Sequence, residues 1–178
     1  MNLSIKELDF STTEVIVDYF INSDIEFLRG MGVEKSKLPK REDWINNLKS
    51  ELKKPYKQKN LYYLIWMYGN QPVGHSNVNK IEHGQSATMH LHLWEKNSRK
   101  KGLGLNFVKL TMPYYFKNLQ LEKLICEPYS KNVAPNKVLK KLGFKFIRAH
   151  KTIPGEICFH QTVNRYELTK NRFYTCSL

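Results

Sequence analysis

The alternation of apolar and polar positions predicts a chain that begins with a short strand and continues with helices. Ser11 and Glu14 have the spacing of an N-terminal capping box, and apolar side chains then recur at helical spacing as far as Phe20. Trp44, Ile45, Leu48 and Leu52 form one apolar face of a later helix, which Pro55 ends. The elements predicted here are a strand Leu3–Leu8 and helices that begin near Ser11, Ser23 and Arg41.

The middle of the chain changes to the pattern of strands. Leu61–Tyr68 is an apolar and aromatic run, typical of a strand buried on both faces. Turn residues separate it from Val73–Val78, and a second turn leads into Ala87–Trp94. In this third strand His90 and His92 alternate with apolar side chains, so both histidines are expected on the same face.

The last part of the chain alternates between helices and strands. A helix is expected after Gly104, and Pro113 inside its apolar stripe predicts a kink or an early end. The other predicted elements are strands Lys123–Pro128, Phe144–His150 and Ile157–Leu168 and a helix Pro135–Leu142. This order predicts one mixed α/β (α+β) domain over residues 1–170, followed by a loosely held tail, residues 171–178.

Composition excludes several classes of protein. The chain has 178 residues, of which 41% are hydrophobic, so it can bury a real core and is not disordered. Three widely spaced cysteines do not form a disulfide framework and fit a reducing compartment. The sequence contains no apolar run long enough to span a membrane, and its N-terminus lacks a signal pattern. We therefore expect a cytoplasmic protein with no membrane partner.

The net charge is strongly positive, at +13. Such a charge attracts polyanions, which include nucleic acid, the ribosome and phosphorylated cofactors. The basic residues are spread along the chain rather than gathered in one block, so a lysine-rich surface with no dedicated partner explains the charge equally well.

The segment Asn97–Leu105 carries the strongest local chemical signal. Gly102 and Gly104 stand at the predicted start of a helix, where backbone N–H groups and the helix dipole favour an anion. Basic side chains precede these glycines. The pattern predicts a cradle for a pyrophosphate, and the alternative is a basic loop with no ligand.

Together with a second segment, this loop resembles the GNAT superfamily of acyl-CoA N-acyltransferases. The second segment is Glu127–Phe144, with Asn-Val-Ala-Pro-Asn followed by Val-Leu-Lys-Lys-Leu-Gly-Phe. It is most similar to the RimJ/RimL-type branch, which acetylates the N-termini of ribosomal proteins. The resemblance spans about Leu3 to Lys170. It implies the GNAT fold, a mixed and mostly antiparallel sheet of six to seven strands flanked by helices.

The resemblance also implies acetyl-CoA as the co-substrate. Backbone groups of the glycine loop would hold its pyrophosphate, and backbone at the end of the histidine-bearing strand would pair with the pantetheine arm and polarise the thioester carbonyl. By the same resemblance Asn132 would bind the cofactor arm, and Asn136 lies one helical turn further on. The cofactor-binding residues expected are Leu91, Leu93, Arg99, Lys100, Lys101, Gly102, Leu103, Gly104, Leu105, Asn132 and Asn136.

The resemblance implies direct attack of a neutral amine on the thioester, which requires a base and an acid. His92 and His90 have a suitable side-chain chemistry for the base, although the family often has a glutamate in this region; a solvated groove with two inert histidines is the alternative. Many relatives have a tyrosine acid in the helix of the second segment, where this chain has Leu139. Tyr129 or Ser130 can replace it.

The acceptor is expected to be a primary amine, either a protein N-terminus or a small molecule, in a pocket built by the first helices and the strands around His75 and His92. The basic surface is compatible with a target on the ribosome. Both a monomer and a homodimer remain open, and no metal-ligand spacing is present. The alternative function is a catalytically silent domain that binds CoA, nucleic acid or the ribosome.

Overall fold

A computed structural model describes residues 2–94 and 102–176. The strands in these residues are β1 (Leu3–Glu7), β2 (Tyr62–Tyr68), β3 (Gln71–Glu82), β4 (Ser86–Leu93), β5 (Lys123–Cys126), β6 (Lys145–Thr152) and β7 (Gln161–Thr169). The helices are α1 (Thr13–Ile21), α2 (Ile25–Met31), α3 (Arg41–Leu52), α4 (Leu103–Asn118), α5 (Val133–Lys141) and α6 (Lys170–Cys176). Two short 3₁₀ turns, Lys35–Lys37 and Tyr56–Gln58, flank α3.

The strands form a seven-stranded sheet in the order β1-β2-β3-β4-β5-β7-β6. Every neighbouring pair is antiparallel except β4 and β5, which run parallel. The mixed, mostly antiparallel sheet predicted from the sequence is therefore confirmed. The β4–β5 ladder joins Ser86–Thr88 to Lys123–Ile125 and extends no further.

The sheet separates two apolar layers. One layer packs α4 and α6 against the sheet and includes Trp66, Phe107 and Leu139. The other lies under α1, α2 and α3 and includes Phe20 and Leu48. Because the sheet is covered on both faces, the ends of its central strands are enclosed between the two layers. None of the helices in the described residues is long and apolar enough to cross a membrane.

The start of α1 differs from the predicted capping box. Thr12 is the N-cap and makes no side-chain capping bond. Instead the Asp9 carboxylate accepts hydrogen bonds from the backbone N–H groups of Ser11 and Thr12, at 3.0 and 3.1 Å. Bonds from Lys6 and Ser11 hold the pKa of Asp9 well below its usual range. The box is wrong because the helix begins one residue later than predicted, with Thr12 as its N-cap, and the Ser11 hydroxyl donates to the Asp9 carboxylate at 2.6 Å.

Two expectations for the last part of the chain are also wrong: an early end of the helix at Pro113, and a loosely held tail over residues 171–176. Residues 177 and 178 of that tail lie outside the described residues. α4 continues through Pro113 to Asn118 in one helical segment, so the proline does not end it. The tail expected to be loose forms α6 over residues 170–176, and Phe173 packs on Phe116 with ring centroids 5.6 Å apart. Burial of that one aromatic side chain fixes the helix to the layer that contains α4.

Candidate active site

The end of β4 faces a split in the sheet. Beyond Thr88 and Ile125 no ladder connects β4 to β5 in the described residues. The Trp94 N–H donates to the Val73 carbonyl at 2.9 Å, which makes this a hydrogen-bonded pair of the β3–β4 ladder. Because such pairs alternate along antiparallel strands, Leu91 and Leu93 direct their N–H and C=O groups away from β3 and into the split.

A cleft occupies this split and reaches both layers. Its walls come from β4, the end of β5, the start of α5, the end of α2 and the β6–β7 connection. The residues that line it are Met31, Met89, His90, Leu91, His92, Cys126, Glu127, Pro128, Tyr129, Asn132, Pro135, Leu139, Pro154, Cys158 and Gln161. Of the predicted site residues, the structure brings His90, Leu91, His92, Tyr129 and Asn132 together here.

His90 and His92 lie on the face of the sheet that α1–α3 cover. His90 Nε2 lies 3.1 Å from the amide oxygen of Asn79. The His92 ring packs on Phe20 with centroids 5.1 Å apart. Burial lowers the pKa of His90 to about 4 and that of His92 to about 3, helped by Lys80 and His90 respectively. Both side chains are therefore neutral at neutral pH.

His75 lies beside His92, although the sequence predicted only that the acceptor pocket includes the strands around these residues. It lies opposite His92 on β3 and is fully buried. The indole N–H of Trp94 donates to His75 Nδ1 at 2.8 Å, so the neutral ring carries its hydrogen on Nε2. Burial, with the neighbouring histidines, lowers the pKa of His75 well below its ordinary value. The Tyr19 ring covers the imidazoles of His75 and His92, with its centroid about 6 Å from each.

The helix that follows the predicted phosphate loop begins close to where the sequence indicated. Leu103 is its first residue, and Gly102 caps it with a left-handed φ of 74°. The first N–H groups of a helix lack partners within the helix, so Leu103 and Gly104 offer donors at this end, whereas the Leu105 N–H donates to the Gly102 carbonyl at 3.1 Å. A Cβ on Gly104 would meet no atom of the described residues within 4 Å. Arg99, Lys100 and Lys101 lie outside the described residues.

Asn132 and Asn136 have different surroundings. Asn132 is the N-cap of α5, makes no side-chain capping bond and lines the cleft. Asn136 is buried, and its amide N–H groups donate to the carbonyls of Tyr129 and Asn132 at 3.0 and 2.7 Å. Its oxygen accepts from Asn164 and from the Tyr166 hydroxyl. All four positions of this amide are filled by protein, so Asn136 fixes the β5–α5 connection to β7.

Tyr129 and Leu139 border the cleft near the position expected for an acid. Leu139 is fully buried in the α4 layer and carries no polar atom. Tyr129 is half-buried, and its ring meets that of Phe159 at 5.7 Å. Ser130 donates its backbone N–H to the Thr162 carbonyl and is not among the residues that line the cleft. Of the residues considered for this role, Tyr129 is the one that lines the cleft and carries a hydroxyl group.

Sequence reasoning missed Glu127 and Gln161. Glu127 follows β5 directly; Arg165 lies 3.1 Å and His150 3.5 Å from its carboxylate. Gln161 is buried, and its amide nitrogen donates to the carbonyls of Gly32 and Phe159. Glu127 could have been found from the sequence, because it lies near the end of a predicted strand and two residues before Tyr129. Nothing local marks Gln161, because Gly32, its partner on the other side of the cleft, lies 129 positions away in sequence.

A second pocket lies between α3 and the β1–β2 edge and contains none of the predicted residues. Its most buried acid, Glu51, already accepts from the backbone N–H groups of Asn60 and Leu61 and pairs with Lys54. These internal bonds leave the pocket no evident chemistry. No group of side chains suited to a metal ion occurs in the described residues.

The fold is similar to that of several solved acetyltransferases. RimL, the ribosomal L7/L12 alpha-N-protein acetyltransferase, was solved in complex with coenzyme A; it has a TM-score of 0.78 and 14% identity over 97% of this chain and 96% of its own. The spermidine N-acetyltransferase from Vibrio cholerae, with CoA and spermine, gives 0.77 and 12% over 97% and 98%. The aminoglycoside acetyltransferase AAC(6')-Ib, with coenzyme A and kanamycin, gives 0.75 and 13% over 99% and 100%.

These identities are low, so the three structures show a shared fold and not a shared acceptor. No curated protein matches the sequence. The acetyltransferase (GNAT) domain profile, however, matches residues 10–145, well over half of the chain. The chain therefore belongs to the GNAT family of acetyltransferases, enzymes that use acetyl-CoA as co-substrate.

Proposed function

We propose that this enzyme transfers the acetyl group of acetyl-CoA to a primary amine by direct attack, with both substrates bound at once. The observation that carries the proposal is the split between β4 and β5, into which Leu91 directs its backbone groups. This edge can pair with an extended amide-bearing chain as a further strand would. The cleft also connects the two faces of the sheet, so cofactor and acceptor can approach from opposite sides.

The face with α4 and α5 suits the cofactor. The pyrophosphate is proposed to bind the N-terminal donors of α4 from Gly102 to Gly104, with positive charge from Arg99, Lys100 and Lys101. The pantetheine arm would then follow the Leu91 edge and meet the Asn132 side chain. Backbone N–H groups of β4 in the water-poor cleft would polarise the thioester carbonyl.

The face with α1 and α2 suits the acceptor amine. His92 is proposed to accept a hydrogen bond from the amine, since its ring is neutral and lines the cleft. An imidazole with so low a pKa holds a proton poorly, so the proton would pass on to water, and His90 lies two residues along the same face. Tyr129 is proposed to return a proton to the departing thiolate, because Leu139 cannot.

A protein N-terminus is the favoured acceptor and a small-molecule amine the other. The protein N-terminus is supported by the similarity of Glu127–Phe144 to the RimJ/RimL-type branch, by the likeness to RimL in fold and by the positive charge, which suits a target on the ribosome. Co-sedimentation of the purified protein with ribosomes at low salt tests that location. A protein that stays in the supernatant would exclude it.

Thermal melting with and without acetyl-CoA tests the proposal first. Binding to the folded state stabilises it by about 2.7 kcal/mol at one hundred times Kd, and this raises the melting temperature. Gly104→Trp should abolish the shift, because its side chain enters the space beside the α4 N-terminus. Gly30→Trp is the matched control, a helical glycine on α2 that also has open space. No shift at millimolar acetyl-CoA with the native protein would contradict the proposal.

A further inference from the structure

The charge of the cleft decides which amines can occupy it. Glu127 is the one carboxylate that lines the cleft in the described part of the chain, and its side chain is 9% exposed. Arg165 Nη1 lies 3.1 Å from this carboxylate, and His150 Nε2 lies 3.5 Å from the same oxygen. Arg165 also donates to Glu167, which Lys123 contacts at 3.2 Å, so the two carboxylates are balanced by these two cations within the protein.

The other walls on the acceptor side are neutral. Met31 comes from α2, and Pro154 and Cys158 from the β6–β7 connection. The amide of Gln161 adds polarity without charge. Asp24, Glu26 and Glu34 belong to α2 and its flanks, yet none of them lines the cleft. An ammonium group other than the reacting one would thus leave water for a site whose described residues offer it no free anion.

The rim adds positive charge. Lys37 donates to the Cys158 carbonyl at 2.9 Å, which holds its ammonium group at the edge of the acceptor side. Lys35, on the same 3₁₀ turn, donates to the Ser23 carbonyl at 2.8 Å. The whole chain carries +13. This field repels an approaching polycation and attracts an acceptor that bears carboxylates.

We propose that the acceptor is a monoamine whose remainder is neutral or anionic, and that the site discriminates against polycationic amines. The inference rests on the proposed function and names its acceptor class. It separates this chain from neighbours of the same fold that were solved with spermine or kanamycin. Arg165 is the residue that sets this preference, since it neutralises Glu127.

The experiment compares three probes with the full-length protein and acetyl-CoA: a Ser-Asp-Ala peptide with a free N-terminus, spermine and kanamycin. The acetylated products are quantified by mass spectrometry to give kcat/KM. The kcat/KM of the peptide should exceed that of either polycation by about a hundredfold, the ratio expected from the loss of two charge-assisted contacts. A higher kcat/KM for spermine or kanamycin overturns the inference and leaves amine acetylation intact. Acetylation of none of the probes, with acetyl-CoA still bound, overturns both.

The variant Arg165→Gln tests the proposed cause. Removing the guanidinium frees the Glu127 carboxylate for a substrate ammonium group, so kcat/KM for spermine should rise about tenfold relative to the peptide. Arg148→Gln is the matched control, because Arg148 is exposed, lies opposite Arg165 in the β6–β7 ladder and makes no ion pair with Glu127. An equal change in both variants would show that only overall charge matters and would overturn the role of Arg165. A melting curve of each variant confirms that it is folded.

Discussion

The imidazole rings of His75 and His92 stack with their centroids 4.6 Å apart, at directly opposed positions of β3 and β4. His75 Nε2 and His92 Nδ1 are both buried and have no hydrogen-bond partner in the described residues. Aromatic rings of α1 cover the pair. A proton on either ring would place a charge in this apolar enclosure beside a second basic ring, so the fold holds both in the neutral form.

Burial of His90 and His92 makes the free energy of unfolding depend on pH. The pKa values of His90 and His92, about 4 and about 3, lie below the 6.5 of an unfolded chain, so the unfolded state binds more protons between these values. The free energy of unfolding should be flat above pH 6.5 and fall below it, by up to about 2 kcal/mol for each histidine at pH 5. Urea unfolding across this range measures the slope. His92→Phe should reduce it, and exposed His160→Gln should not.

The same low pKa predicts the shape of the activity profile. His92 is neutral throughout the range from pH 5 to 9, so its titration should not appear in kcat/KM. The profile should instead rise with the deprotonation of the acceptor amine itself, near pH 8 for an α-amine. Rates with a free-N-terminus peptide at fixed ionic strength check this. An inflection near pH 6.5 that His92→Ala removes would contradict the buried, neutral ring.

Asn132 and Asn136 should separate cofactor binding from stability. Asn136→Ala removes bonds to two carbonyls and leaves Asn164 and Tyr166 without this partner, so it should lower the free energy of unfolding by about 3 kcal/mol. Asn132→Ala removes no side-chain cap and should leave stability within about 0.5 kcal/mol while weakening acetyl-CoA binding about tenfold. Chemical unfolding and calorimetric titration with acetyl-CoA measure the two effects. Equal losses of stability would refute the distinction.

Gly74 is required for the close approach of β3 to the end of β4. A Cβ at this position would lie 2.5 Å from the His92 carbonyl oxygen and 2.9 Å from the Trp66 ring. Gly74→Ala must therefore displace β4 beside the cleft, and we expect a loss of about 2 kcal/mol and a lower kcat. Gly30→Ala is the control, since open space and a helical position predict unchanged or slightly higher stability. Wild-type stability and kcat in Gly74→Ala would disprove the constraint.

The sequence predicted β2 and β4 well because burial on one or both faces leaves a period that can be read locally. β3 extends to Gln71–Glu82, beyond the predicted Val73–Val78, and β7 begins at Gln161, four residues after the predicted start. β2 begins one residue after the predicted strand, and β4 matches its prediction to within one residue at each end. The capping by Asp9 was missed because several side chains near a helix start compete for the same donors. Pattern alone does not rank those competitors.

The candidate site was predictable where its residues follow one another along the chain, and not where they meet through the fold. His90, His92 and Asn132 were found from alternation and motif. The pairing of Glu127 with Arg165 depends on β5 lying beside β7, a contact between residues 38 positions apart. Gln161 contacts Gly32 across 129 positions. Such contacts are set by sheet order, which a single sequence does not specify.

The three-residue ladder between β4 and β5 has a consequence for how the molecule moves. In the described residues it is the only strand ladder between the antiparallel blocks β1–β4 and β5–β7. Across the cleft the two blocks are tied through the segment after α2, where the Glu34 N–H donates to the Ile157 carbonyl and the Gln161 amide donates to the Gly32 carbonyl, both at 2.8 Å. A molecule bound in the cleft would contact both blocks and should slow amide exchange in both. Rigidity of the sheet and affinity for acetyl-CoA should then be coupled, and a substitution in the ladder, such as at Thr88, should alter the affinity without touching the ligand.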